Sequence, residues 1–248
     1  MNHIGLVTAA GIKNVLRMKV GLAILLSITL ICVVGVAYLM CVLLISPEVA
    51  RSVPDKSALE NNLSLILYCS TLISIGVTLN SLVFQTMIRE KSRGNLAALM
   101  ATPLKVSEIW LGKSLSLFLP GLVLGILLTV FNLLIINFIY FLPNDIGFIF
   151  SLNGAVSSLI AGPLMYLFFG VFVHLIGLIT KSATGNVVAQ VFLPVIANVI
   201  IQFVGRDVMK ANSWQFMVMN LGLSALLGVI ILVMRSRLTA ERVILSAS

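Results

Sequence analysis

Between residues 86 and 113 the chain reads TMIREKSRGNLAALMATPLKVSEIWLGK, and seven of its charged side chains, Arg89, Glu90, Lys91, Arg93, Lys105, Glu108 and Lys113, fall there. Clustered charges of this kind recognise a partner surface or a phosphate. Gly112-Lys113-Ser114 resembles the end of a phosphate-binding loop. However, Ser107 stands where the first glycine of that motif belongs, and the following sequence is apolar instead of closing a strand-helix unit. No nucleotide site is therefore expected in this chain. The two histidines, His3 and His174, have no neighbouring carboxylate in sequence and lack the spacing of a two-histidine zinc site. Cys32, Cys41 and Cys69 lie in or beside apolar runs, without a paired loop spacing, and read as buried apolar residues. Neither a metal site nor a catalytic constellation is expected.

The elements that position these residues follow from composition. The 248 residues are 60% hydrophobic and 10% charged, with a mean hydropathy of +1.14, which excludes a soluble domain. A hydrocarbon core of about 30 Å needs roughly 20 apolar residues per helix. Six runs approach that length, at 20–45, 63–86, 114–139, 156–180, 187–204 and 214–234. The fold expected is an all-α integral membrane protein of six transmembrane helices, a single domain over 1–248. The charged stretch 87–113 emerges between the second and third spans. Within it, Gly94 follows the charge cluster, Leu96, Leu99 and Met100 share one side of a short helix, and Pro103 ends that helix. Ser107 and Glu108 read as the cap and first-turn acid of the next helix.

Residues 1–19 are moderately apolar. Ile4, Val7, Ile12, Val15 and Leu16 lie roughly along one helical side, and Lys13 and Arg17 lie elsewhere, the pattern of an amphipathic interfacial helix. The apolar run that follows is longer than a signal-peptide core and lacks a small-residue cleavage site, so a removable leader is not expected. An alternating arrangement of six spans puts twelve of the 16 Lys and Arg residues on one side. The bias places both termini in the cytoplasm of a cell-membrane protein. The net charge of +8 is then chiefly a topology signal, and no folded aqueous surface is left for nucleic acid.

Polar residues inside the spans are sparse. Gly121 and Gly125 are spaced for close helix approach. The segment FLPNDIGFIFSLNG after Tyr140 reads as an outer loop that partly re-enters the interface, and Trp214 and Tyr140 stand where interfacial aromatics are expected. The 187–204 run carries Gln190, Pro194, Asn198 and Gln202. Their polar side chains either bond neighbouring helices or line a transport path. No Asp, Glu, Lys or Arg lies inside any run, which disfavours intrinsic proton coupling. Any uphill transport would draw its energy from elsewhere. The apolar interior suits a lipid-like, drug-like or hydrophobic peptide cargo better than a small ion.

The order Glu90, Gly94, Leu96, Leu99, Thr102-Pro103, then Glu108-Ile109 and Gly112-Lys113, closely resembles the membrane subunits of type-2 ABC exporters, whose pattern is similar to E-x-x-x-G-[ST]-L-E-x-L-x-x-T-P followed by E-I-x-x-G-K. Here Asn95 replaces the usual Ser or Thr, and Ala97 the usual Glu. The resemblance covers about 25 residues by motif, and the span layout extends it along the chain. It implies a coupling helix over roughly 94–101 that docks on a separate cytoplasmic ATPase subunit, with Arg89, Glu90, Lys91, Arg93, Gly94, Asn95, Leu96, Leu99, Thr102, Pro103, Glu108 and Lys113 forming that interface. It also implies ATP and magnesium in the partner, an elbow-like role for residues 1–19, and a second six-span subunit, identical or homologous. The importer signature E-A-A-x3-G is missing from the turn at 181–186, which favours export. The alternative is a membrane scaffold or assembly factor that binds a cytoplasmic partner without moving substrate.

The topology is testable by thiol labelling in intact cells, with Cys32, Cys41 and Cys69 replaced by alanine. A membrane-impermeant reagent should modify a cysteine introduced at Ser52 and spare one at Ser236; the opposite pattern would invert the orientation.

Overall fold

Long apolar runs leave the backbone no solvent partner in a bilayer, so the chain must bond to itself as helices. The computed structural model describes residues 3–80, 98–99, 101–180, 187, 191, 195, 198–200, 202–206, 208–239, 241 and 243. No strand occurs among them. Five described helices are long and apolar enough to cross a membrane, the architecture of a multi-pass membrane protein. A shorter helix, α1 (His3–Arg17), precedes them. The five are α2 (Lys19–Val49), α3 (Lys56–Thr78), α4 (Val106–Asn144), α5 (Leu152–Ile179) and α6 (Trp214–Arg235). The sixth expected span, 187–204, lies largely outside the described residues; positions 198–200 and 202–205 of that region are helical.

Helix starts carry local signals. Asp55 Oδ1 accepts from the Ser57 N–H at 2.9 Å, Ser151 Oγ from Gly154 at 3.2 Å and Ser213 Oγ from Phe216 at 3.2 Å. Each satisfies one orphan amide of a first turn. Two loops differ from expectation. Residues 46–62, left between the expected spans 20–45 and 63–86, are mostly helix, because α2 continues to Val49 and the Asp55 cap starts α3 at Lys56. Glu60, Asn61 and Asn62 therefore lie on α3, where Asn62 donates to the Leu44 carbonyl at 3.1 Å and Asn61 accepts from Ala211 at 2.6 Å. Similarly, α4 runs on to Asn144 and ends on Asp145, whose φ of 57° is left-handed. The chain then folds back: Asn137 donates to the Ile149 carbonyl at 3.1 Å and accepts from its amide at 2.7 Å. One side chain thus satisfies both polar groups of a buried loop residue.

Among the five helices α3 is the most buried, with 72% of its apolar window inside the protein against 22% for α6. It packs chiefly on α4 and α2, and also on α5. Gly121 and Gly125 of α4 face Thr78, and Ser74 with Thr71, so closely that a Cβ at Gly121 would collide with Thr78 Oγ1. Along the same seam Thr71 and Thr129 hydroxyls bond at 2.6 Å, and Asn132 donates to Ser70 Oγ at 2.9 Å. Toward α6, Tyr68 donates to Asn220 Oδ1 and its ring meets Phe216 edge-on at 4.8 Å. The remaining faces of α2, α4 and α6 expose large apolar side chains such as Ile31, Leu127 and Leu232, as a lipid-facing surface requires.

Up-and-down order places α1, the start of α4, the end of α5 and the end of α6 together. There Trp110, Leu178, Ile231 and Val243 form one apolar cluster. At the opposite end Ile45, Leu59, Phe141 and Ile149 form another. With 39 residues, α4 is about 58 Å long at 1.5 Å per residue, more than a bilayer core of about 30 Å, and its charged residues, Glu108 and Lys113, lie in its first turns.

Replacing Asn137 by leucine leaves the Ile149 amide and carbonyl unpaired at a buried site and is expected to cost about 1–3 kcal/mol. Thermal unfolding of the detergent-solubilised protein measures it, and an unchanged midpoint would refute the clamp.

Candidate functional site

The stretch entering α4 is built from three local devices. Ala98 and Leu99 are helical, and the chain turns at Ala101. Thr102 closes this turn by donating its hydroxyl to the Leu99 carbonyl at 2.6 Å, and Pro103, exposed, cannot extend a helix. After the bend, α4 begins at Val106. Its cap differs from expectation: Lys105 is the capping residue, Ser107 lies within the first turn, and Glu108 reaches back to accept from the Lys105 N–H at 2.9 Å. This is the carboxylate half of a capping box, with the negative charge at the positive end of the helix dipole. Glu108, expected at a partner interface, is thus already engaged in its own helix.

The Gly112-Lys113-Ser114 triplet is explained by packing. Helix α1 lies across the first turns of α4, and a Cβ at Gly112 would stand 2.6 Å from Val7 Cβ and 3.1 Å from the Ile4 carbonyl oxygen. Only glycine admits so close an approach. Thr8 Oγ1 stands 3.2 Å from the Gly112 carbonyl oxygen and 2.9 Å from that of Ile4, so its one proton is shared between the crossing and its own helix. Of the apolar residues expected on one side of α1, Val15 is buried and Val7 packs on Gly112, whereas Leu16 is exposed. Lys13 and Arg17 are exposed.

One turn further, Ser114 bonds the Trp110 carbonyl at 2.8 Å and His174 Nδ1 at 2.7 Å. A serine hydroxyl has one proton. With that proton on the Trp110 carbonyl, the bond to His174 requires the imidazole to donate from Nδ1. Trp110 Nε1 donates to the Val171 carbonyl at 3.2 Å, so both links tie α4 to α5. His174 is accordingly a hydrogen-bonded helix contact. Among the described residues no group of His, Cys, Asp or Glu is arranged to hold a metal, and the three cysteines are unpaired, Cys41 and Cys69 buried.

The structure therefore brings together Leu99, Thr102, Pro103, Glu108 and Lys113 at the base of α4. Arg89, Glu90, Lys91, Arg93, Gly94, Asn95 and Leu96 lie outside the described residues, as does Gln190. Among the described residues Asn198 and Gln202 have no bond to a neighbouring helix: both are exposed, Gln202 accepts from Arg206 Nε at 3.1 Å, and they line an open recess of about 380 Å³ with Val199 and Phe203. Among the described residues the buried polar side chains lie instead mainly on α3 and α4, with others on α5 and α6. Sequence reasoning did not single out Thr8, and it did not foresee that Val7 meets Gly112 or that Ser114 and Trp110 tie α4 to α5; the small residues Gly112 and Ser114 flanking Lys113 were the available signal. Comparison with protein-family models, with curated proteins and with solved structures finds no match.

Two substitutions separate these roles. Glu108→Ala removes the cap and is expected to cost about 1 kcal/mol, whereas Glu108→Gln keeps an acceptor and most of the stability. Gly112→Ala forces α1 away, raising amide hydrogen exchange across residues 3–17. Unaltered protection there would refute the crossing.

Proposed function

We propose that this chain is the membrane-spanning permease subunit of an ATP-binding-cassette exporter, moving its substrate across the cell membrane on energy from a separate cytoplasmic ATPase. The observation that carries this reading is the ordered entry to α4. A turn closed by Thr102 and Pro103 leads directly into a helix capped by Glu108, which continues through the bundle and packs along the central α3. A push on the charged stretch before Thr102 is thereby delivered to a rigid rod, not dissipated in a flexible loop.

In this reading Arg89, Glu90, Lys91 and Arg93 meet the ATPase, ATP and magnesium are held there, and α1 is the elbow that rides on the base of α4. The exposed pair Asn198 and Gln202, four residues apart on one side of the chain, faces a second permease subunit, because polar side chains at membrane depth avoid lipid. Both termini are cytoplasmic. The resemblance of the 90–113 pattern to type-2 exporter subunits supports the same reading.

Affinity purification of the tagged chain from its native membrane tests it. A nucleotide-hydrolysing partner should co-purify, and reversing Arg89, Lys91 and Arg93 to glutamate should release it. A partner that stays bound without hydrolysing ATP would support the scaffold alternative; absence of any ATPase would overturn the proposal.

A further inference from the structure

Between α1, the turn at 99–104 and the base of α4 lies a cavity of about 460 Å³, within the size range of small-ligand sites. Its walls are mainly apolar, with Val7 and Ala10 from α1, Leu99 from the turn and Leu117 from α4; Lys113 brings a cationic group and Asn14 an amide. The same α1 carries Lys13 and Arg17 exposed on its surface, and Lys113 lies two turns into α4, after its polar start at Ser107 and Glu108. A cation at the margin of an apolar chamber, under an amphipathic helix at headgroup depth, complements a molecule with an apolar tail and one anionic head.

We propose that this cavity binds an anionic phospholipid of the surrounding bilayer, one acyl chain inserted between α1 and α4 and the phosphate at Lys113. The lipid would act as a wedge that sets how closely α1 lies on Gly112. The inference concerns this chain alone and stands whether or not an ATPase partner exists.

The test uses the full-length chain in nanodiscs of equal phosphatidylglycerol and phosphatidylcholine, released and weighed by native mass spectrometry. Phosphatidylglycerol should be retained roughly tenfold over phosphatidylcholine. Lys113→Gln should equalise the two lipids while still retaining one, whereas Ala10→Phe and, from the opposite wall, Leu99→Trp should each fill the chamber and abolish retention. Circular dichroism that matches the unsubstituted chain shows that a variant has folded. Excess inorganic phosphate should displace nothing. Equal retention of both lipids by the unsubstituted chain, an undiminished preference in Lys113→Gln, retention in both folded cavity-filling variants, or displacement by phosphate would each overturn the proposal.

Discussion

In a bilayer the lipid is as apolar as any leucine, so helices gain little by hiding apolar faces from it, and association depends on close packing and polar contacts. The seam between α3 and α4 answers that constraint. Gly121 and Gly125 let the backbones approach, and Thr71, Thr129, Ser70 and Asn132 spend the proximity on hydrogen bonds across the gap. Several serines and threonines of α3 also bond back to their own helix, such as Ser74 to the Ser70 carbonyl at 2.8 Å, which leaves their hydroxyl protons satisfied inside a low-dielectric interior. Such interhelical bonds average about 0.6 kcal/mol each, so no single one holds the bundle. Their alignment along one helix does.

That seam gives α4 its mechanical character. At one end the rod is capped by Glu108 and crossed by α1; at the other, Asn137 clamps the returning chain at Ile149. Pro120 lies inside it, where the missing amide and ring permit a bend. Among the described residues, π-helical turns at Cys41–Ile45, Asn137–Phe141 and Ser157–Ala161 interrupt α2, α4 and α5. Two of them belong to the apolar cluster at the end remote from α1. There, Asn137 and Ile149 link α4 to the connection into α5.

Some functional readings depended on which helix a residue meets. The Gly-Lys-Ser triplet has phosphate-binding chemistry only when its amides line a loop; wrapped into a continuous helix, its glycine admits α1 and its serine holds His174. Glu108 shows the reverse relation. Its spacing from Lys105 already contained the capping function, and the structure identifies the acceptor as the glutamate carboxylate in place of the Ser107 hydroxyl.

What the sequence determined by itself was whatever depends on neighbours a few residues away: the apolar lengths that make membrane helices, the glycine pair at 121 and 125, the engagement of Glu108 in the first turn of α4, and the unequal distribution of basic residues. What only the tertiary structure decided was which helix is central, where polar side chains find partners, and why α1 lies on α4. Tyr68 and Asn220 are 152 positions apart, and Thr8 and Gly112 are 104 apart. Hydropathy records that a side chain prefers burial or polarity, but in a bundle whose every helix is apolar it does not say against which neighbour that preference is met.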